Sequence, residues 1–181
     1  MSEAESESEE VTLLAATSAD AAVLSNLLEL YIHDLSDFFP IEIGVDARFG
    51  YDRLALYWQE PERRSAYLIH NGSRLAGFAL VARGSPLTDD PTDLDVAEFF
   101  VLRRHRRSQV GRRAAFSLWD RMPGHWIVRV ADNNLRALAF WRAAVAAYTQ
   151  SALSERSVQG PGRVWHVLDL NSRTPSRLDA P

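Results

Sequence analysis

Leu94-Asp-Val-Ala-Glu-Phe-Phe-Val101, continued by Leu102-Arg-Arg-His-Arg-Arg-Ser-Gln-Val-Gly111, carries an apolar, β-favouring run into a cationic turn. Apolar residues on both faces mark Leu94 to Leu102 as a strand buried inside a sheet. Beyond the turn, Val110, Ala114, Phe116, Leu118 and Trp119 continue with helical spacing to Met122, where Pro123-Gly124 stops the helix. The turn is therefore a helix N-terminus, where unpaired backbone N–H groups and the positive end of the dipole suit an anion. Arg103, Arg104, Arg106 and Arg107 flank it, and a pyrophosphate matches that combination of amides and cations.

Upstream, Val11 to Thr17 reads as a strand, and Asp20 caps a helix whose Val23, Leu24, Leu27, Leu28, Tyr31 and Leu35 form one stripe ending at Phe38-Phe39-Pro40. A shorter helix is expected over Tyr51 to Trp58, closing before Glu60-Pro61. Ala66 to His70 and Arg74 to Ala82 flank Asn71-Gly72-Ser73, a hairpin signal. Downstream lie a strand over Trp126 to Val130, a helix over Asn134 to Tyr148, a strand within Thr149 to Val158 and a last strand over Val164 to Leu170. The order β, α, α, β, β, β, α, β, α, β, β is a mixed α/β plan in one domain.

Composition narrows the function classes. At 181 residues and 46% hydrophobic, the chain builds one well-buried domain, expected over residues 11–170. The Ser/Glu-rich residues 1–10 and the stretch 171–181 are expected to be disordered tails. The N-terminus is acidic where a secretory signal is basic and then apolar, and no run suits a bilayer, so a cytoplasmic protein without membrane contact is expected. The absence of cysteine excludes disulfides, thiolate metal sites and a cysteine nucleophile, and the five histidines lack ligand spacing, so no metal is expected. All twenty basic residues are arginine, which excludes a Schiff-base lysine. The net charge of −4 stems from the five glutamates of residues 1–10, and the remainder is near neutral, which argues against a general polyanion binder.

Two motifs resemble the GCN5-related N-acetyltransferase (GNAT) superfamily. Val101 matches the valine that ends its acyl-CoA strand, Arg106 and Gly111 match the ends of R/Q-x-x-G-x-G/A, and Gln109 replaces the middle glycine. Asn134-Leu-Arg-Ala137-Leu-Ala-Phe140-Trp141 matches N-x-x-A-x-x-F-Y, with Trp141 in place of tyrosine. Element order agrees from Val11 to Leu170, and Glu-Phe-Phe-Val, Pro-Gly-His-Trp and Ala-Phe-Trp-Arg look like a group of predicted bacterial acetyltransferases within this superfamily.

The resemblance implies a mixed, mostly antiparallel central sheet flanked by helices, and acetyl-CoA or another short acyl-CoA as donor. The implied reaction is direct transfer to a primary amine of a small molecule in a ternary complex, with a homodimer frequent in the superfamily. Backbone amides of Arg107, Ser108, Gln109, Val110, Gly111 and Arg112 are to wrap the pyrophosphate, with Gly111 allowing close approach and Arg106 and Arg107 adding charge. Main-chain groups near Phe99, Phe100 and Val101 are to pair with the pantetheine amides, with Asn134, Phe140 and Trp141 across the arm. Gln109 is accommodated at ordinary helical-entry torsions.

On the substrate side, Glu98 is a charge inside an apolar strand, either a base aimed into the cleft or a group satisfied by an arginine. Tryptophan at 141 cannot protonate the departing thiolate, which leaves water or Tyr148 as the acid, or Tyr148 as a half-buried helix-end residue. Tyr31, His33 and Asp34, with Asp37 beyond, end the first helix beside the acceptor cleft, where carboxylates attract an amine and His33 is an alternative base. Tyr51, Tyr57 and Trp58 line that cleft or the core. His105 is part of the cationic turn, and His70, His125 and His166 read as structural. The competing classes are a degenerate GNAT-fold CoA-binding module, motivated by Gln109 and Trp141, and a nucleic-acid binder using Arg103, Arg104, Arg106, Arg107, Arg112 and Arg113. The confined cluster lacks stacking aromatics, which weighs against the second.

Overall fold

The computed structural model describes residues 10–160 and 162–172. Seven strands form one sheet in the order β1-β2-β3-β4-β5-β7-β6. They are β1 (Val11–Ala15), β2 (Arg64–Asn71), β3 (Arg74–Arg83), β4 (Leu94–Val101), β5 (His125–Ala131), β6 (Ser154–Gly160) and β7 (Arg163–Asn171). All neighbours are antiparallel except β4 and β5. A parallel pair needs a crossover, supplied by α3 (Val110–Arg121). The remaining helices are α1 (Ala21–Leu35), α2 (Leu56–Gln59) and α4 (Leu135–Thr149).

Each sheet face buries its own core. Trp119, Trp141, Val145 and Tyr148 of α3 and α4 pack on Ile69, Val81, Val96 and Val128, while Leu24, Leu27 and Leu28 of α1 and Tyr57 of α2 pack on Leu68, Phe78, Leu80 and Phe100. Within β4 the alternation breaks once. Leu80 pairs with Glu98 and Val81 with Val96, leaving Ala97 as an extra residue, a bulge. Leu94 and Val96 before it share the α3 and α4 side with Phe99 and Val101 after it, whereas Ala97 and Phe100 face α1. An uninterrupted strand would place Glu98 on the face of Leu94 and Val96; the bulge turns it toward α1. Gly77 permits the tight pairing that follows, since a Cβ there would lie 2.0 Å from the Phe100 carbonyl oxygen.

Several element boundaries differ from expectation. The segment expected as a helix from Tyr51 is α-helical only over Leu56–Gln59. Leu54, Leu56, Tyr57 and Trp58 each bond three residues back, a tighter 3₁₀-type winding. The strand expected within Thr149 to Val158 starts at Ser154, because Gln150 ends α4 in the left-handed conformation at φ 53°. Asp20 bonds back to the Thr17 N–H at 2.8 Å, and Val23 is exposed while Ile32 joins the buried stripe. The expected tails lie mainly outside the described residues. Within them, Glu10 accepts the Gly72 N–H, Asn171 completes β7, and the Ser172 hydroxyl accepts the Gly124 N–H at 2.8 Å, so the ordered chain extends past both expected limits.

Candidate active site

The parallel pair β4 and β5 is joined only at Leu94 with Trp126 and Asp95 with Ile127. Beyond Asp95 the strands part, and a cavity of about 460 Å³ opens between them. Val96 to Phe99 line one wall and Val128 to Ala131 the other. Asn134, Ala137 and Trp141 of the α4 region close one side; Tyr31, Ile32 and Leu35 of α1, with Phe39, Ile41, Tyr51 and Arg53, close the other.

Glu98 points into this cavity from the bulged strand. Its Oε2 accepts the Tyr31 hydroxyl at 2.7 Å and its Oε1 the Tyr51 hydroxyl at 3.1 Å. Burial raises the Glu98 pKa above the ordinary glutamate value, and the two phenol donors oppose that rise. Burial and the adjacent carboxylate push both tyrosines upward, which keeps them protonated as donors. Of the two expectations for Glu98, the cleft is where it lies, and phenols rather than an arginine are its direct partners. Tyr51, left open between cleft and core, lies in the cleft.

Beside it is a pair that sequence reasoning passed over. Arg129 donates from Nε and Nη2 to the two Asp95 oxygens at 2.7 and 2.8 Å, and Asp95 is only 1% exposed. The available signal was charge of opposite sign in two adjacent apolar strands, Asp95 and Glu98 in one and Arg129 in the other. Such a fork satisfies a buried carboxylate in both charge and geometry.

The arginine turn is organised differently. Arg106 donates Nε to the Val101 carbonyl at 2.7 Å and Nη2 to Asp34 at 2.7 Å, with its guanidinium over the Phe100 ring. Arg103 donates to the other Asp34 oxygen at 2.6 Å. Burial works against the Asp34 charge, yet the two arginines hold its pKa below the ordinary value. Asp34 therefore braces the turn against α1 instead of waiting for an amine, and Arg106 is a strut instead of an outward phosphate ligand. His105 is buried beneath the turn, where the Ser108 hydroxyl donates to its carbonyl at 2.9 Å.

Arg107, Ser108, Gln109 and Arg112 are exposed at its outer surface. Arg107 and Gln109 both have positive φ, 68° and 63°. This corrects the expectation of ordinary helical-entry torsions at Gln109. The residue holds the backbone form that glycine adopts most easily, at a local conformational cost. The first bond of α3 runs from Arg113 N–H to Gln109 O, so the N–H groups of Val110, Gly111 and Arg112 have no helical acceptor. Gly111 has a packing reason as well, since a Cβ there would meet the Phe140 ring at 3.2 Å and Val101 at 3.6 Å.

Across the cleft, the Asn134 side-chain Oδ1 caps α4 by accepting the Ala137 N–H at 3.1 Å. Phe99 stacks on Phe140 and meets the edge of Trp141 at 5.0 Å between centroids. Phe100 faces away, under Arg106. Like Asp34, Tyr148 and His33 are not brought into the cleft. Tyr148, far from half-buried, is 2% exposed among Phe116 and Trp119, and its hydroxyl donates to Asp120 at 2.6 Å. His33 is exposed beside Phe49, because helical rotation turns it away from Tyr31 and Ile32. No group of three or more metal-binding side chains occurs among the described residues, and no helix among them is long and apolar enough to cross a membrane.

Comparison with known proteins adds family and fold. The model of the acetyltransferase (GNAT) family matches residues 27–144. No curated protein matches the chain. Among solved structures, an acetyltransferase from Thermus thermophilus superposes with a TM-score of 0.61 at 19% identity, covering 91% of this chain and 98% of that one. The spermidine N-acetyltransferase of Vibrio cholerae, in complex with CoA and spermine, gives 0.60 at 12% identity over 90% and 95% of the two chains. AAC(6')-Ib in complex with ribostamycin and coenzyme A gives 0.66 at 16% identity over 95% and 100%.

Proposed function

Since the chain belongs to the acetyltransferase (GNAT) family, we propose that it transfers an acetyl group from acetyl-CoA to the primary amine of a small molecule, by direct attack while donor and acceptor are bound together. The observation that carries this reading is the parting of β4 from β5 beyond Asp95, with the Glu98 carboxylate on the face beside the gap.

The residues present fit such a donor. Unpaired N–H groups at the start of α3 and the left-handed backbone at Arg107 and Gln109 suit a pyrophosphate, with exposed Arg107 and Arg112 adding charge. The edge of β4 left unpaired by β5 around Phe99 to Val101 offers main-chain groups to the pantetheine amides, apart from the Val101 carbonyl, which Arg106 occupies. Asn134 and Trp141 border the same space. When bound, acetyl-CoA supplies an activated acyl group with a thiolate as leaving group.

Glu98 is the proposed base. An amine attacks only when neutral, and a carboxylate with a raised pKa is better matched to taking its proton. Tyr31 and Tyr51 fix the orientation of both Glu98 oxygens, and Tyr31 forms the acceptor wall with Ile32. With Tyr148 bound to Asp120 and tryptophan at 141, the departing thiolate takes its proton from water.

Calorimetry and thiol release test the reading together, and the absence of cysteine keeps the thiol assay free of background. Wild type and Glu98→Gln should both bind acetyl-CoA, while the variant loses about 10²- to 10⁴-fold in turnover. Unchanged turnover would remove Glu98 as the base; absence of acetyl-CoA binding by the wild type would sink the cofactor assignment.

A further inference from the structure

The acceptor side of the cavity has an unexpected charge balance. Its lining carries one carboxylate, Glu98, already engaged by two phenol hydroxyls, and two guanidiniums, Arg53 and Arg129. Arg129 is neutralised by Asp95. Arg53, exposed at the rim close to Tyr51, has no anionic partner among the described residues. The remaining acceptor wall is apolar: Ile32, Leu35, Phe39, Ile41 and Trp165.

A polycation needs a carboxylate for each ammonium that leaves water, and this lining has no second one to give. An unpaired guanidinium beside an apolar wall suits the opposite partner. Resting on the acyl-transfer reading above, we propose that the acceptor is an amine that also bears a carboxylate on an apolar body, with the amine at Glu98 and the carboxylate at Arg53. A single planar fork matches the two oxygens of a carboxylate. The apolar wall contributes by taking the body of the acceptor out of water. Amino acids with apolar side chains have this chemistry.

The full-length protein is assayed by thiol release with phenylalanine and leucine, their amides, phosphoethanolamine and spermidine, and acetyl-CoA binding is measured on the same preparation by calorimetry. The free acids should exceed their amides in kcat/KM by about tenfold or more, the effect expected of a charge-assisted hydrogen bond. Arg53→Gln should reduce that ratio to within about threefold, chiefly through KM, as removal of a ground-state contact does. Preference for the amides, phosphoethanolamine or spermidine, an undiminished ratio in Arg53→Gln, or acetyl-CoA binding with none of the panel consumed would each overturn the carboxylate assignment alone. Failure to bind acetyl-CoA would overturn the acyl-transfer reading, and this proposal with it.

Discussion

The turn from Arg103 to Gly111 and the sheet face around Glu98 border the same cleft but use their polar groups in opposite ways. In the turn the backbone is presented outward and the side chains work inward: Arg106 ties Val101 to Asp34, Arg103 doubles that tie, and Ser108 closes on His105. On the sheet face one edge of β4 is consumed by pairing with β3, and the polar groups turned into the cavity are side chains: Glu98, Tyr31, Tyr51 and the Asp95–Arg129 fork. A site made of main chain tolerates exchange of exposed side chains, whereas one made of buried side chains depends on each partner. Gln109 in place of glycine belongs to the first kind of site. Exchanging Arg129 disturbs the second.

The contrast fails if substitutions on the two sides cost alike. Arg129→Met should have the largest effect, destabilising the protein by about 3–5 kcal/mol, because Asp95 stays buried without its cation. Urea denaturation near neutral pH measures it, and a loss below about 1 kcal/mol would mean that water replaces the arginine. Next comes Tyr31→Phe. Its hydroxyl stabilises the charged form of Glu98, so removing it should move the Glu98 pKa further upward. A hydrogen bond to a charged group corresponds to about one to two pKa units, readable by carbon NMR titration of the Glu98 carboxyl. A downward shift would contradict the described geometry. The smallest effect belongs to Gln109→Gly, where relief of a left-handed glutamine is offset by greater freedom of the unfolded chain. Stability should change by less than about 1 kcal/mol and acetyl-CoA affinity by less than about threefold, and a large loss of affinity would show that the glutamine side chain itself contributes.

What was readable from sequence follows the same division. Strand, cationic turn, helix and the asparagine that caps α4 are local patterns, each set by residues within one or two turns of chain, and the matching element order brought the fold with them. The partners of Glu98 come from 67 and 47 residues away, and those of Asp34 from 69 and 72, separations at which spacing carries no information. Asp34 and Arg106 were therefore expected to face a substrate and a phosphate, and instead face each other. The full burial of Tyr148, neither an acid in the cleft nor half-buried, is illegible for a related reason: its helical position is local, while Asp120, which receives its hydroxyl, lies on the neighbouring helix. Asp95 and Arg129 were detectable as paired anomalies once β4 and β5 were taken as neighbours.

The extra residue at Ala97 makes the face that Glu98 takes a question of counting. Asp95 and Glu98 are three positions apart, an odd interval that ordinary alternation would send to opposite sides, and both nonetheless look toward α1. Removal of Ala97 would close the bulge and leave a regular strand, in which Glu98 follows Val96 directly and still faces α1. Phe99 and Phe100 would likewise keep their faces, because they keep their register with β3. What the extra residue adds is a local bend of β4 at the point where it leaves β5. A one-residue gap here among relatives would therefore straighten the strand without turning the carboxylate into the core.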